Sequence, residues 1–235
     1  MIIFDVDGTI LPGTSCERLF VRYLVKNRVL GLRSFVNFII RAIALIPKGR
    51  YFIIKANKGY LRGHSVDSMS EIGLRFFNEV AAARISEAAI ERINQHLKAG
   101  ARLILFSGMP DFLLANFARH LDVAEFYGSV MEIRDGKFTG RTLGPFPMGQ
   151  GKVDALEMII RNSGMACHAP TTGWHASPPR GEKHVQIDWP AITFYADHWT
   201  DRFLLSRVRN PVVVNGRRKL LSLAKVKGWR VEEWV

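Results

Sequence analysis

Two aspartates, Asp5 and Asp7, stand two residues apart between an apolar run, Ile2-Ile3-Phe4, and Gly8-Thr9. A carboxylate can attack phosphorus as a nucleophile. A second one beside it can protonate the leaving oxygen and later take a proton from water. On this reading Asp5 attacks and Asp7 moves the proton. A divalent cation would lower the repulsion between these carboxylates and an incoming phosphate. Taken alone, the pattern also describes an acidic turn at a strand end, so the elements around it have to decide.

Residues 2–4 are apolar and mostly β-branched, which suits a short strand buried on both faces of a parallel sheet. Gly8 permits a turn that most residues resist. The strand therefore aims Asp5 and Asp7 out of its carboxyl end, where open α/β sheets place their sites. Residues 102–106 read as a second buried strand. Ser107 and Gly108 follow it, ahead of a helix over 111–121. A serine and a free amide at a helix N-terminus favour an anion, although Ser107 would serve equally as an N-cap. Lys152 follows Gly149-Gln150-Gly151 and opens a helix over 153–160. Residues 192–196 read as a strand ending at Asp197, with Asp201 four residues on. Short strands are expected over 126–130, 131–134 and 137–141, the last two joined by the hairpin signal Asp135-Gly136. A strand over 212–214, a basic helix over 217–227 closed by Gly228, and an edge strand over 229–234 end the chain.

Asp5-Val6-Asp7-Gly8-Thr9, Ser107-Gly108-Met109-Pro110, Lys152, and Asp197 with Asp201 occur in the order of the four motifs of the haloacid dehalogenase superfamily of phosphatases. The chain resembles that superfamily, in its phosphoserine-phosphatase-like branch, from residue 4 to about 214. The resemblance implies an α/β fold, a doubly wound Rossmann-like parallel sheet with a helical cap inserted after the first strand. The core would be 1–11 and 98–235, and the cap 12–97. It implies magnesium-dependent phosphomonoester hydrolysis through an aspartyl phosphate on Asp5, with Asp7 as acid and base. Ser107, Gly108 and Lys152 would hold the phosphate. Asp5, the Asp7 backbone carbonyl and Asp197 would hold Mg2+, with Asp201 supporting them. Three departures stand out. His198 replaces the usual small residue, and Gly8 and Thr14 stand where the phosphoserine branch has Ser and a substrate-recognising Glu. Phosphoserine is therefore not the expected substrate. A phosphotransferase using the same aspartyl phosphate, or a soluble-metabolite phosphatase, are the alternatives within this chemistry; a non-catalytic anion-binding module lies outside it.

The formal charge is +12. Residues 1–64 carry eleven Lys/Arg against three Asp/Glu and residues 202–235 nine against two, while the middle is mildly acidic. Basic flanks suit an anionic partner, a phosphate ester or anionic lipid. No zinc-finger spacing or RNA-binding aromatic motif argues for nucleic acid. Two cysteines, Cys16 and Cys167, point away from a disulfide framework and toward a reducing cytosol. A strand beginning at Ile2 leaves no signal peptide visible.

Ser15 reads as the N-cap of a helix carrying Leu19, Phe20, Tyr23 and Leu24, and 65–97 as further amphipathic helices. Within the cap, residues 29–60 are unusual. The twelve residues 35–46 are nearly all apolar, short of the roughly 20 that span a bilayer. Arg33, Asn37, Arg41 and Lys48 form one narrow stripe, with Arg50, Lys55 and Lys58 beyond. A wide apolar face beside basic residues fits a helix lying in a membrane interface. The simpler reading is a helix buried in the cap. The first reading places the protein in the cytoplasm, peripheral at the inner face of the membrane, acting on a lipid phosphate. The sequence around residues 20–24 and the apolar, basic cap are more loosely similar to bacterial phosphatidylglycerophosphate phosphatases. Residues 162–190, rich in Gly, Pro, Ser and His, read as a surface loop.

Overall fold

The computed structural model describes residues 1–48, 53, 57–161 and 189–234. β1 (Ile2–Phe4) turns into a tiny two-stranded flap, β2 (Asp7–Gly8) and β3 (Leu11–Pro12). Among the described residues the helices α1 (Cys16–Lys26), α2 (Leu32–Ala44), α3 (Val66–Phe76) and α4 (Glu87–Lys98) follow. The chain then returns to the sheet with β4 (Leu103–Pro110), α5 (Asp111–His120), β5 (Glu125–Arg134), β6 (Lys137–Leu143) and α6 (Gln150–Arg161). It ends with β7 (Thr193–Ala196), α7 (Arg202–Leu205), β8 (Asn210–Val214), α8 (Arg218–Lys227) and β9 (Arg230–Glu232).

The sheet has the order β6-β5-β4-β1-β7-β8-β9. Every neighbouring pair is parallel except β5 and β6. β1 therefore lies in the middle, its Phe4 in register with Leu105 and Tyr195. Strand alternation divides the core in two. Phe4, Leu105, Tyr195 and Val212 face one layer, packed with Phe20 of α1, Phe76 of α3, Ile93 of α4 and Phe117 of α5. Ile3, Ile104, Phe194 and Val213 face the other, against Leu156 of α6, Leu204 of α7 and Leu220 of α8. Helices on both faces of a mostly parallel sheet make the doubly wound architecture that the sequence implies.

Three local expectations change. Residues 126–134 form one strand, β5, because its pairing with β6 spans the break expected at 130. β4 runs on through Ser107 to Pro110, with a register shift against β5 after Phe106. Ser15 stands at the N-cap of α1 but makes no capping hydrogen bond; its hydroxyl is engaged at Asp7, as described below.

A fourth change concerns α2, which is amphipathic in the inverted sense. Its Ser34, Asn37 and Arg41 side lies toward the protein. Ser34 Oγ is 3.0 Å from His64 Nε2, and Asn57 Nδ2 donates to the Phe38 carbonyl at 3.0 Å. The apolar side faces outward, with Leu32 80%, Phe35 61% and Ile43 60% exposed. Lys58 leaves the basic stripe altogether, because it is fully buried and paired with Glu17. Arg50 and Lys55 lie outside the described residues, as do Cys167 and residues 162–188 of the expected surface loop. Among the described residues, no helix is long and apolar enough to cross a membrane.

Candidate active site

A cavity of about 320 Å³ opens at the carboxyl ends of β1, β4 and β7. All seven residues singled out from the sequence line it: Asp5, Asp7, Ser107, Gly108, Lys152, Asp197 and Asp201. Topology explains the convergence. β4, β1 and β7 are adjacent in the sheet, so residues about 100 apart in sequence end side by side.

Asp5 is buried and leaves β1 through an amide that donates to the Tyr195 carbonyl at 2.9 Å. Lys152 Nζ lies 2.7 Å from Asp5 Oδ1 and 2.7 Å from Asp201 Oδ1, and all three residues are buried. The ammonium is also 5.3 Å from the Phe194 ring centroid. Burial alone would lower the Lys152 pKa. Asp201 and Asp5 outweigh it and hold the lysine above its ordinary value, so it stays charged.

Carboxylates still crowd the site. Burial pushes Asp5 up to about 7 against the pull of Lys152. Burial, reinforced by Asp5 and Asp201, pushes Asp197 up to about 8. Oxygens of Asp5, Asp197 and Asp201 lie within 4.8 Å of one another, and Asp197 Oδ1 is buried without a hydrogen-bond partner among the described residues. Hard oxygen donors, excess negative charge and an orphaned buried acceptor fit a divalent cation such as Mg2+. Gly8 makes the approach possible. It adopts φ +85°, and a Cβ there would fall 2.0 Å from Asp197 Oδ2.

Asp7 points away from this cluster. Its Oδ1 accepts from the Cys16 amide at 2.8 Å and its Oδ2 from Ser15 Oγ at 2.8 Å. Both donors stand at the N-terminus of α1, so this helix fixes the Asp7 carboxylate. Ser107 Oγ accepts from the Met109 amide at 3.3 Å. Gly108 presents its carbonyl to Ser129 Oγ, at 2.8 Å. His198 caps the turn between the last two aspartates, accepting from the Thr200 amide at 3.3 Å. That places the departure at His198 in loop geometry and leaves Asp197 and Asp201 in the cavity.

One constellation escaped the sequence reading. Glu17 lines the cavity, and its carboxylate pairs with Lys58 and accepts from Tyr60 Oη at 2.9 Å. Lys58 Nζ also reaches the Gly108 carbonyl, at 3.4 Å. Burial and Glu17 raise the Tyr60 pKa, which keeps its hydroxyl a donor. Glu17 precedes its partners by about 40 residues, so no local spacing announces the contact.

Comparisons with known proteins agree with this geometry. A family model for haloacid dehalogenase-like hydrolases matches residues 2–206. A Mycobacterium tuberculosis protein named phosphoserine phosphatase is 27% identical over 98% of this chain and 70% of its own. A histidinol-phosphatase of Neisseria meningitidis is 24% identical over 98% of this chain and 97% of its own. Among solved structures, a Bordetella pertussis protein of unknown function shares the fold, with TM-score 0.78, 23% identity, and 100% and 98% of the two chains covered. A phosphoserine phosphatase in apo form gives TM-score 0.60 at 13% identity, over 100% and 92%. The strand order, the clustered carboxylates with their buried lysine and the matched family model together show that the chain belongs to the haloacid dehalogenase-like hydrolases.

Proposed function

We propose that this hydrolase is a magnesium-dependent phosphatase that cleaves phosphomonoesters through an aspartyl phosphate on Asp5. The observation that carries the reading is Lys152 Nζ, buried and 2.7 Å from both Asp5 and Asp201. The lysine holds Asp5 through Oδ1, which leaves Oδ2 to attack. An Oδ2–P bond forms as the P–O bond to the leaving group breaks, and Asp7 gives that oxygen a proton. Asp7 then takes a proton from water, the water attacks phosphorus, and phosphate leaves as the Asp5 carboxylate is restored. Ser15 and the Cys16 amide keep Asp7 at one place for both transfers. Ser107, the Gly108 amide and Lys152 hold the phosphoryl oxygens as charge shifts among them. Magnesium held by Asp5, Asp197 and the Asp7 main-chain carbonyl would offset negative charge on the reacting group. Asp201 acts through Lys152. Residues 12–97, the segment we read as the cap, close over this chemistry.

The substrate we favour is a lipid phosphate at an anionic membrane surface. The support is α2, whose apolar residues face outward where a buried cap helix would turn them in. Relatives named phosphoserine phosphatase favour a second reading. Against it, Glu17 is the cavity's carboxylate outside the aspartate cluster, and it is neutralised by Lys58. A phosphoserine ammonium would have to displace that lysine.

Phosphate release from a panel of soluble and lipid phosphomonoesters, with magnesium or a chelator, tests both parts. The expected result is magnesium-dependent turnover, fastest on a lipid phosphomonoester. Full activity in chelator would refute the metal requirement. Preference for phosphoserine or another soluble ester would refute the lipid substrate.

A further inference from the structure

A second cavity, of about 400 Å³, lies between α2 and the β5–β6 hairpin. The segment Gly59–Leu61 separates it from the catalytic pocket. Gly59 lines the second cavity, while the Lys58 side chain turns the other way to Glu17. Glycines allow the three pieces to meet backbone to backbone. A Cβ on Gly59 would lie 2.6 Å from the Asn37 carbonyl oxygen, and one on Gly140 would lie 3.1 Å from the Gly59 Cα.

The space so formed is strongly basic. Arg41, Arg62, Lys137 and Arg141 line it, and none of them makes an ion pair among the described residues. Its one acidic lining residue among the described residues, Glu132, is already engaged by Thr139 Oγ1 at 2.6 Å and Arg134 at 3.1 Å. Arg41 Nε is buried and has no hydrogen-bond partner among the described residues. Burial, with Arg141 adding to it, lowers the Arg41 pKa. A buried donor left unsatisfied among like charges is costly, and an anion there would remove both penalties. The fourth side of the cavity is apolar. Ile40 lines it and is 51% exposed, so the wall continues into the outward face of α2. A phosphate group that carries an apolar tail meets both halves of that surface.

We propose that this cavity is an anion site, separate from the catalytic pocket, that takes the headgroup phosphate of an anionic phospholipid while α2 lies in the membrane surface. The proposal rests on the membrane reading above, and the experiment separates the two. Arginine Nε–Hε resonances of the full chain are followed by NMR during titration with three probes. These are water-soluble short-chain phosphatidylglycerol, short-chain phosphatidylcholine and inorganic phosphate. As a phosphodiester, phosphatidylglycerol is not a substrate for phosphomonoester hydrolysis. Partition onto phosphatidylcholine vesicles, with and without phosphatidylglycerol, is measured for the parent, for Arg141→Glu and for Ile39→Asn/Ile43→Asn. Melting temperatures verify that each variant is folded.

The expected result is a saturable shift of the Arg41 resonance with phosphatidylglycerol, lost in Arg141→Glu. That variant should also partition about thirtyfold less onto phosphatidylglycerol vesicles, from roughly one tenfold step and a half for two charges near the surface. The isoleucine variant should lose binding to both vesicle types. If Arg141→Glu keeps the full preference for anionic vesicles, the headgroup site is wrong and the membrane reading stands. If inorganic phosphate moves Arg41 as strongly as the lipid, the cavity is a free-phosphate site and the headgroup assignment is overturned. If the parent ignores every vesicle, both readings fall, while turnover of soluble esters still tests the phosphatase reading.

Discussion

Lys152→Met removes the cation that Asp5 and Asp201 share and keeps most of the side chain's volume. Both ion pairs are 2.7 Å long and all three residues are buried. Removing one partner of a buried pair leaves uncompensated charge, at a cost of about 4 kcal/mol. For a chain of this size that corresponds to a fall of roughly 8–16 °C in Tm. The pH dependence has a definite sign. Without the ammonium, Asp5 loses the partner that opposes the effect of its burial, so its folded-state pKa rises further above the unfolded one. A carboxyl with a raised folded pKa binds more protons folded than unfolded, so its stability is greatest at low pH and is lost as pH rises. The deficit of the variant should therefore be largest near pH 8 and shrink as pH falls below about 7, where Asp5 already titrates in the parent. Differential scanning calorimetry of the metal-free proteins across pH 5–8 reads this directly. Turnover should drop by several orders of magnitude at every pH. A variant that melts within about 2 °C of the parent, or whose deficit grows on acidification, would refute the shared buried ion pair.

Three other substitutions probe neighbouring parts of the site. Gly8→Ala puts a Cβ 2.0 Å from Asp197 Oδ2 at φ +85°, so activity should fall at least a hundredfold and stability by roughly 1–3 kcal/mol; a parent-like enzyme would show that Asp197 does not approach Gly8. Asp111 is buried at the start of α5, and burial raises it to about 7. Its stabilising contribution is present below about pH 4 and lost as pH rises through about 7, so Asp111→Asn should raise Tm at pH 8 and leave it nearly unchanged at pH 4, and equal shifts at both would contradict this. Ser15→Ala removes the 2.8 Å bond to Asp7 Oδ2 but leaves the Cys16 amide in place; kcat should fall about tenfold, as for one hydrogen bond to a charged group, with KM little changed, and an unaltered kcat would remove Ser15 from the positioning of Asp7.

The catalytic half of the molecule was legible because its signals are local. Three of the site residues follow a short apolar run, and a run of that kind becomes a central strand wherever two helical layers cover it. Asp5, Ser107 and Asp197 all follow such runs, and strand order brings the three ends together. The hairpin signal at Asp135-Gly136 is equally local, and both residues take positive φ there. What escaped depends on contacts between distant residues. Glu17 pairs with Lys58 across 41 positions, and neither residue looks unusual in its own neighbourhood. The hydroxyl of Ser15 resembled an N-cap because Asp7, the group that takes it, lies on the far side of a turn. Periodicity located both faces of α2 but carried no information on which one turns outward. That depends on Gly59 and Gly140, whose missing side chains let the polar stripe pack close against the 57–64 segment and the hairpin.

The covalent step is open to direct measurement. The enzyme is mixed with magnesium and substrate, quenched in acid within one turnover, and digested for mass spectrometry of the phosphorylated peptide. A phosphoryl group on Asp5, present in the parent, accumulating further in Ser15→Ala and absent from Asp5→Asn, is the predicted result. Normal turnover by Asp5→Asn, or a phosphoryl group found on another residue, would contradict nucleophilic attack by Asp5.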